Sequence, residues 1–380
     1  MSELSTSETD QIAHFFVVES LRVGKRSDGS GESVVIRYNK TDQSCVDFAM
    51  KVEEECWKLG AHTLLRPVSY GRERVKLSKK PNGSLSEIEP LLLRIAETED
   101  VDIYIGEYDD PNFTAGLADK WKLGAPARQK YMEVRDERKV RWGYLGWPIP
   151  SAAAGYGMDP REFRRIFFDS IRQSFSQDLM KLIKYYGSAL EGKEKVRILA
   201  KDGTDLSFMI KDRPVLLDDP TISPEDIARG DLGLNIPCGE VFLAPLETTA
   251  NGTILFEKVV VPGFGKITNL RLKFVDGIVV GLNADEGSDR FSRFLDANTG
   301  DKDRIAELGI GCNPGAQYTG GSIIVDEKIY GTIHIAVGNN TGAYHGVNKA
   351  SSHLDMIKSM KQGELYADGK LIMKNGAPTA

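Results

Sequence analysis

The sequence predicts an α/β protein with a Rossmann-like amino-terminal domain (residues 1–190) and a mixed α+β carboxyl-terminal domain (residues 191–380). Three observations support this prediction: the length of the chain, the β-α-β order of its first segments, and a change of pattern near Gly192. A chain of 380 residues is too long for one ordinary hydrophobic core, so two domains are expected.

The amino-terminal half alternates between strand and helix patterns. Ser33–Tyr38 is a β-branched run bounded by turn residues, which predicts a buried strand. Apolar residues then recur at helical spacing from Val46 to Leu59, and His62–Arg66 predicts a second strand. This β-α-β order favours a parallel, doubly wound sheet. Neither a G-x-G-x-x-G motif nor a P-loop is present, so no nucleotide is assigned to this domain.

The carboxyl-terminal half is dominated by short strand patterns separated by Asp-Gly, Pro-Gly and Asn-Gly. Val275–Ile278 contains Asp-Gly at its centre and predicts a tight hairpin. One long helix is expected to precede this half, from Asp159 to about Tyr186. Two further helices are expected at Asp289–Ala297 and Asp301–Leu308.

Composition excludes several classes of function. The formal net charge is −6 and no stripe of basic residues is present, so nucleic acid is not an expected partner. No apolar run reaches the roughly 18–20 residues that a membrane span needs, and the amino terminus lacks the order of a signal peptide. The four cysteines are far apart, which predicts reduced thiols in a cytoplasmic protein.

Candidate metal ligands are concentrated near the carboxyl terminus. Three of the five histidines are His334, His345 and His353, and Asp355 follows the last of them. Imidazoles and carboxylates bind borderline divalent ions such as zinc, cobalt or iron(II). In an extended segment His353 and Asp355 would lie on the same side, whereas in a helix they would not. The apolar spacing that follows permits either structure, so the sequence leaves this open.

Two glutamates lie beside glycines and apolar runs. Glu240 follows Gly239 in NIPCGEVFLAP, and Glu307 lies in AELGIG. Burying a carboxylate at such a position is costly unless it meets a cation or several donors. Taken alone, each residue also fits an exposed position, Glu240 at the start of a strand and Glu307 in the last turn of a helix. The metal-ligand hypothesis for both therefore depends on the wider pattern.

That pattern resembles the thermophilic-type metallo-aminopeptidases, the family of aminopeptidases T and S. The segments that carry the resemblance extend over most of the chain: KLGAH, NIPCGEVFLAP, ANGTI, AELGIG, HIAVGNN, GVN and HLD. The resemblance implies a Rossmann-like first domain, a second domain that holds two metal ions, and assembly into a homo-oligomer, in that family a dimer. It also implies a peptide substrate.

Carried onto this sequence, the resemblance implies five metal ligands: Glu240, Glu307, His334, His353 and Asp355. His345 has no counterpart in the family and is retained as a sixth candidate ligand because of the histidine cluster. The tyrosine expected seven residues after His334 is replaced by Thr341. Tyr344 is the candidate replacement, and it would require a rearranged loop.

Three functions remain open. The first is an aminopeptidase that uses zinc, cobalt or manganese, with Glu240 or Glu307 as a catalytic base if not fully engaged by metal and with Tyr344 nearby. The alternative is a ring-cleaving dioxygenase, because the resemblance includes the 2,5-dihydroxypyridine 5,6-dioxygenases. His334, His353 and Asp355 would then hold one iron(II) next to a small aromatic substrate. The third is a non-catalytic protein, motivated only by the missing tyrosine.

Overall fold

The structure is a computed structural model that describes residues 3–379. The chain forms two compact units. Unit 1 contains the residues up to Phe168 together with Pro220–Ile236, and unit 2 contains Asp169–Asp219 together with the residues from Pro237 onward. Both units are therefore discontinuous, which differs from the single boundary near residue 190 that the sequence predicts. The returning segment supplies a strand to unit 1, and local sequence patterns do not reveal such long-range pairing.

Most of the strands belong to unit 2, and the others form the sheet at the centre of unit 1. In chain order they are β1 (Ser33–Asn39), β2 (His62–Val68), β3 (Val101–Ile105), β4 (Arg141–Leu145), β5 (Lys195–Ala200), β6 (Asp205–Met209), β7 (Leu216–Asp218), β8 (Gly233–Ile236), β9 (Glu240–Leu243), β10 (Asn251–Val261), β11 (Gly265–Val275), β12 (Ile278–Asn283), β13 (Ile305–Gly311), β14 (Thr332–Gly338), β15 (His353–Ser359), β16 (Gly363–Ala367), β17 (Lys370–Lys374) and β18 (Ala377–Pro378).

Most of the helices belong to the first half of the chain. In chain order they are α1 (Thr6–Phe15), α2 (Gln43–Lys58), α3 (Tyr70–Lys79), α4 (Pro90–Ala96), α5 (Ala118–Leu123), α6 (Ala125–Arg138), α7 (Pro150–Tyr156), α8 (Pro160–Ser174), α9 (Gln177–Leu190), α10 (Pro224–Arg229), α11 (Ser288–Ala297) and α12 (Ile323–Asp326). A π-helical turn, Phe16–Ser20, continues α1, and short 3₁₀ turns occur at Asn82–Ser84 and Gly342–Tyr344.

Unit 1 is built on a parallel sheet with the strand order β2-β1-β3-β4-β8. Helix α2 connects β1 to β2 and contacts both strands, and it buries Phe48, Ala49 and Val52. The predicted β-α-β opening and the α/β class are therefore confirmed. The strand order, however, is the 2-1-3-4-5 order of flavodoxin-like sheets, the other common doubly wound arrangement beside the Rossmann order.

Unit 2 contains two antiparallel sheets. One has eight strands in the order β12-β11-β10-β6-β5-β16-β17-β18, and the other has five in the order β15-β14-β13-β9-β7. Every residue of β13 and β14 is buried, as expected for central strands that are covered on both faces. The predicted hairpin between β11 and β12 is confirmed, because Asp276 and Gly277 have the positive φ angles, 47° and 80°, that its tight turn requires.

Two predicted helices are corrected by the structure. The helix expected from Asp159 to about Tyr186 is divided into α8 and α9, because Ser176 caps α9 by accepting a hydrogen bond from the Leu179 amide. The helix expected at Asp301–Leu308 is wrong, since the segment from Ile305 onward is β13. Pairing with β9 on one side and β14 on the other stabilises the extended conformation of this short apolar run.

Two observations concern the environment of the protein. Within residues 3–379, no helix is sufficiently long and apolar to cross a membrane. The four cysteines, Cys45, Cys56, Cys238 and Cys312, are buried and free, which agrees with the expected reduced thiols.

Candidate metal centre

The residues expected to bind metal lie on one face of the five-stranded sheet of unit 2. Strand pairing sets Glu307 opposite Ala336, and Ala336 opposite Asp355. Alternate residues of a strand share a face, as do directly opposed residues of neighbouring strands. The same face therefore carries five of the six predicted ligand residues: Glu240 from β9, Glu307 from β13, His334 from β14, and His353 and Asp355 from β15.

Small residues occupy four positions of this face among the candidate ligands. They are Gly309, Gly311, Ala336 and Gly338. A Cβ atom added to Gly309 would lie 2.0 Å from Cε1 of His334, so the imidazole ring lies directly over this glycine. Any larger residue at position 309 would displace His334. The glycines thus leave the space in which the carboxylates and imidazoles converge.

The converging side chains form two groups that share one residue. Glu240, Glu307 and His334 are here called the inner group, and Glu307, His353 and Asp355 are called the outer group. Within each group, one candidate ligand atom per residue lies within 4.8 Å of the others. All inner residues are buried, whereas the His353 side chain is 29% exposed and the Asp355 side chain 13% exposed. Glu307 is the residue common to both groups.

The geometry of the inner group fits a metal ion. His334 Nε2 lies 3.2 Å from Glu307 Oε1 and 3.4 Å from Glu240 Oε2. Glu240 Oε2 is buried and forms no hydrogen bond with a residue that the structure describes. Buried polar atoms are rarely left in this state, because the lost hydration is costly. Nitrogen and carboxylate oxygen are also the donor atoms that zinc and related divalent ions prefer.

Charges within the two groups are strongly coupled. Burial lowers the pKa of His334, but the hydrogen bond to Glu307 and the charge of Glu240 outweigh it and raise this pKa to about 10. Burial raises the pKa of Glu307, whereas hydrogen bonds from His334 and His353 lower it to a net value below its ordinary range. Without metal, the histidines are therefore protonated, and their positive charge neutralises the ionised carboxylates.

The outer group is held by the segment that precedes β15. His353 Nδ1 donates a hydrogen bond to the Asn339 carbonyl oxygen at 2.7 Å. This contact leaves Nε2 as the available ligand atom, and Nε2 lies 3.0 Å from Glu307 Oε2 and 3.2 Å from Asp355 Oδ1. A ligand histidine oriented through its second nitrogen is the usual arrangement in metal proteins. His353 and Asp355 belong to a strand, so the alternative that the sequence left open is resolved in favour of the extended conformation.

A buried lysine next to the inner group was missed by the sequence analysis. Lys328 Nζ lies 2.5 Å from Glu240 Oε1, 2.9 Å from Asp218 Oδ2 and 2.8 Å from Glu327 Oε1. Burial lowers the pKa of Lys328, but the three carboxylates outweigh this effect, so that the pKa lies well above its ordinary value. The lysine therefore compensates acidic charge that the fold would otherwise bury unpaired.

The loop between β14 and β15, residues 339–352, brings Tyr344 to the centre. The Tyr344 hydroxyl donates to Glu307 Oε2 at 2.9 Å, and its ring centre lies 6.1 Å from that of His353. Thr341, at the position where the family has its tyrosine, is exposed. His345 belongs to neither ligand group: it is exposed, its φ is 53°, and its carbonyl oxygen accepts a hydrogen bond from Arg213. The structure therefore does not bring His345 together with the other five predicted ligands.

Glu247 stabilises this loop through hydrogen bonds with Asn340 and Val347. Its buried carboxylate accepts hydrogen bonds from Asn340 Nδ2 at 3.0 Å and from the Val347 amide at 2.8 Å. Arg213 Nη2 neutralises it at 2.5 Å. Because the anchors lie on both sides of Tyr344, the tyrosine is held over Glu307 by buried contacts and not by the exposed tip of the loop.

Three comparisons relate the chain to known proteins. The model of the thermophilic metalloprotease (M29) family matches residues 21–377. AmpT from Thermus thermophilus has a similar structure, with a TM-score of 0.74, 18% identity, and coverage of 98% of this chain and 99% of that one. A 2,5-dihydroxypyridine dioxygenase from Pseudomonas putida KT2440 gives a TM-score of 0.63 at 15% identity, with coverage of 100% and 99%.

At these identities the two structures establish a shared fold and no more. No curated protein sequence matches the chain. The family model, in contrast, extends from the last turn before the first strand to the last strand of unit 2. Since the match includes both candidate ligand groups, the chain belongs to the thermophilic metalloprotease (M29) family.

Proposed function

We propose that the protein is a metal-dependent aminopeptidase that removes amino-terminal residues from peptides. One observation carries the proposal: Glu307 belongs to both ligand groups, so its carboxylate would take part in holding two ions. Membership of a metalloprotease family supports hydrolysis, and the fold shared with AmpT supports the same assignment. The metal itself would be zinc, cobalt or manganese, all of which suit nitrogen and carboxylate donors.

Each residue of the centre has a separate task in this proposal. Two divalent ions bound here would polarise the scissile carbonyl group and lower the pKa of the attacking water. Glu240, Glu307 and His334 would hold one ion, and Glu307, His353 and Asp355 the other. Lys328 occupies Glu240 Oε1 and so leaves Oε2 for the inner ion. Asn339 orients His353 through its backbone carbonyl group.

Glu327 is our candidate for the general base. Glu240 and Glu307 are both committed to the ligand groups, whereas Glu327 lies outside them with a side chain that is 14% exposed. Burial raises the pKa of Glu327, Lys328 lowers it, and the nearby charge of Asp355 raises it, with an increase overall. A carboxylate with a raised pKa suits proton transfer near neutral pH. The Tyr344 hydroxyl would donate to the oxyanion that forms on the attacked carbonyl oxygen.

Peptide hydrolysis tests the proposal directly. The full-length protein would be stripped of metal, reloaded with zinc, cobalt or manganese, and assayed with a panel of aminoacyl-p-nitroanilides. We expect metal-dependent release from free substrates and none from their N-acetylated forms, because an aminopeptidase recognises the free amine. With metal occupancy confirmed, the absence of release over the whole panel would overturn the proposal.

Two histidines of the same segment provide a matched pair of variants. H353A removes a ligand of the outer group and should abolish release. H345N changes an exposed residue outside both groups, and asparagine tolerates its left-handed conformation, so activity should be retained. Equal losses in both variants would indicate damage to the loop and not to the metal centre.

E327Q should lower kcat by about 10²–10⁴ with unchanged metal content and KM if Glu327 is the base.

A ring-cleaving dioxygenase is the second candidate. Its support is the fold shared with the Pseudomonas putida enzyme and the presence of two histidines and one carboxylate, the set that non-haem iron uses. Against this candidate, His334 belongs to the inner group of residues, whereas His353 and Asp355 belong to the outer group. About one iron per chain, with oxygen uptake in the presence of 2,5-dihydroxypyridine, would favour this candidate. About two zinc or cobalt ions would favour the aminopeptidase.

Two broader predictions accompany the proposed function. We expect a homo-oligomer, because assembly is implied by the resemblance to aminopeptidases T and S, and light scattering on the purified protein would measure it. We also expect the protein to act in the cytoplasm on peptides or other small molecules, without a nucleic-acid or membrane partner. Fractionation of cells that express the protein would test this location.

A further inference from the structure

Unit 1 contains a cavity that the metal centre does not use. Its volume is about 370 Å³, and it lies between the carboxyl-terminal parts of β1 and β2 and the helices α3 and α6. Small-molecule sites typically measure roughly 300–1,000 Å³. In doubly wound sheets, ligands bind outside the carboxyl ends of the strands near the point where the strand order reverses. Strand β1 is one of the two strands at that point, between β2 and β3.

Two arginines of adjacent strands face the cavity. Arg37 of β1 is paired in register with Arg66 of β2, and both line the cavity. Arg37 is neutralised by Asp102, to which Nε and Nη2 donate at 2.8 and 2.7 Å. Arg66 is half-buried, and its side chain has no hydrogen bond or ion pair with any residue between 3 and 379. Like charges at neighbouring positions of a sheet repel each other, so Arg66 is left as an uncompensated cation.

A third arginine contributes from α6. Arg128 Nη2 donates to the Trp121 carbonyl oxygen at 2.8 Å, and its guanidinium carbon lies 3.8 Å from the centre of the Trp121 ring. Within the part of the chain that the structure describes, no carboxylate pairs with Arg128. Burial lowers the pKa of Arg128, as expected for a guanidinium group that lacks a counterion.

Acidic residues do not cancel this charge. The cavity lining contains six basic side chains and three acidic ones. Two of the three acids are engaged by lysines: Glu73 lies 3.6 Å from Lys76, and Glu89 lies 2.7 Å from Lys76 and 3.5 Å from Lys80. The third, Glu87, is exposed. The cavity therefore has an excess of positive charge, and Arg66 and Arg128 are among the arginines that carry it.

The other walls combine aliphatic and aromatic side chains, and three of the aromatic ones form a connected group. Tyr70, Phe113, Trp121 and Tyr131 line the cavity. The ring centres of Tyr70 and Phe113 are 5.1 Å apart, and Phe113 meets Trp121 edge-on at 5.3 Å. Such walls favour a flat apolar body, because aromatic groups pack well in stacked or edge-on geometry.

We propose that this cavity binds a small organic anion that carries a carboxylate or phosphate group on a flat aromatic body. The guanidinium groups of Arg66 and Arg128 recognise the anionic group, since arginine pairs with both oxyanions through two parallel hydrogen bonds. The aromatic side chains contact the ring. The inference is independent of the proposed peptidase activity, because it concerns only residues of unit 1.

Calorimetric titration of the full-length, metal-free protein tests this proposal, and the removal of metal prevents anions from binding at the metal centre. The probes are 1-naphthoate, 1-naphthyl phosphate and the neutral 1-naphthylmethanol. We expect saturable binding of at least one anion with a Kd below about 1 mM, and binding of the alcohol at least about tenfold weaker. The stronger of the two anions identifies whether carboxylate or phosphate is preferred. No saturation with either anion, or equal binding of the alcohol, would overturn the proposal.

Substitutions locate the binding site. R66Q and R128Q should each weaken anion binding by about tenfold or more, and R66K should weaken it less than R66Q, because lysine keeps the charge but loses the two parallel hydrogen bonds. R161Q is the matched control, because Arg161 is an exposed arginine of unit 1 with a side chain that is 94% exposed. Circular dichroism verifies folding, and if R66Q does not fold, R128Q decides the result. Unchanged affinity in the folded variants would show that the anion binds elsewhere and would refute the assignment.

Discussion

The inner and outer ligand groups share Glu307 and one face of a sheet, yet they are built differently. The residues of the inner group come from β9, β13 and β14, which are internal strands, whereas His353 and Asp355 belong to β15 at the sheet edge. A buried lysine balances the inner charges, and a backbone carbonyl group of the adjacent loop orients the outer histidine. The inner group is thus part of the core, whereas His353 and Asp355 of the outer group lie at the sheet edge and are partly exposed.

On the proposed function, this difference would separate metal binding from substrate choice. Loop 339–352, in which Thr341 stands where the resemblance implies a tyrosine, contributes Tyr344 and the Asn339 carbonyl group to the outer group. None of its residues belongs to the inner group. Changes in the loop can therefore alter what the outer group accepts while the inner group stays intact. Four substitutions test this comparison.

E307Q should have the largest effect, because it removes the residue common to both groups. We expect metal content to fall from about two ions per chain to well below one, and peptidase activity to fall by about three orders of magnitude or more. Elemental analysis and the nitroanilide assay measure both. E194Q is the control, since Glu194 is an exposed acid that pairs with Lys211. Retention of about two ions in E307Q would exclude a shared carboxylate.

K328M tests whether the inner group depends on buried charge compensation. Removing the lysine leaves Asp218, Glu240 and Glu327 without their cation, which should destabilise the metal-free protein by about 3–5 kcal/mol. Urea unfolding measures the loss, and bound metal should reduce it because the ions supply positive charge. K181M, at an exposed lysine paired with Asp178, should change stability by less than about 0.5 kcal/mol. Equal stability of K328M and K181M would contradict this role.

Lys328 also illustrates what the sequence could not reveal. The residues around it, Val325-Asp-Glu-Lys328, have the composition of a solvated turn, and only pairing of distant strands brings Asp218 and Glu240 to the lysine. The secondary structure predicted around Glu307 was wrong for a related reason. Its segment is short and apolar without a clear period, so a helix was expected where two neighbouring strands impose β13.

Other features depend on local chemistry and were predicted correctly. The first strand, helix and strand of unit 1 follow from β-branched runs, helical spacing and a terminating glycine. The Asp276–Gly277 turn follows from the positive φ angles that these residues adopt easily. The five side chains of the two groups were identified from family motifs, whereas their convergence required the register of β9, β13, β14 and β15.

D355N should affect the outer group alone. The substitution removes a charged ligand but preserves the shape of the side chain, so we expect about one ion per chain to remain, with activity reduced by about 10²-fold. E240Q is the matched variant on the inner side, and it should also leave about one ion. Metal titrations of the two variants should differ, because the buried inner position exchanges its ion more slowly. Loss of both ions in D355N would show that the groups form one indivisible site.

Y344F is expected to have the smallest effect and addresses the loop itself. The change removes the hydroxyl group that donates to Glu307 Oε2 at 2.9 Å but keeps the ring against Phe242 and His353. We expect kcat to fall by about tenfold to a hundredfold, with metal content and KM nearly unchanged. T341A, at the family's tyrosine position, should have no effect, because Thr341 is exposed. If Y344F retained full kcat, the loop would act only as a wall of the site and the oxyanion donor would have to be sought elsewhere.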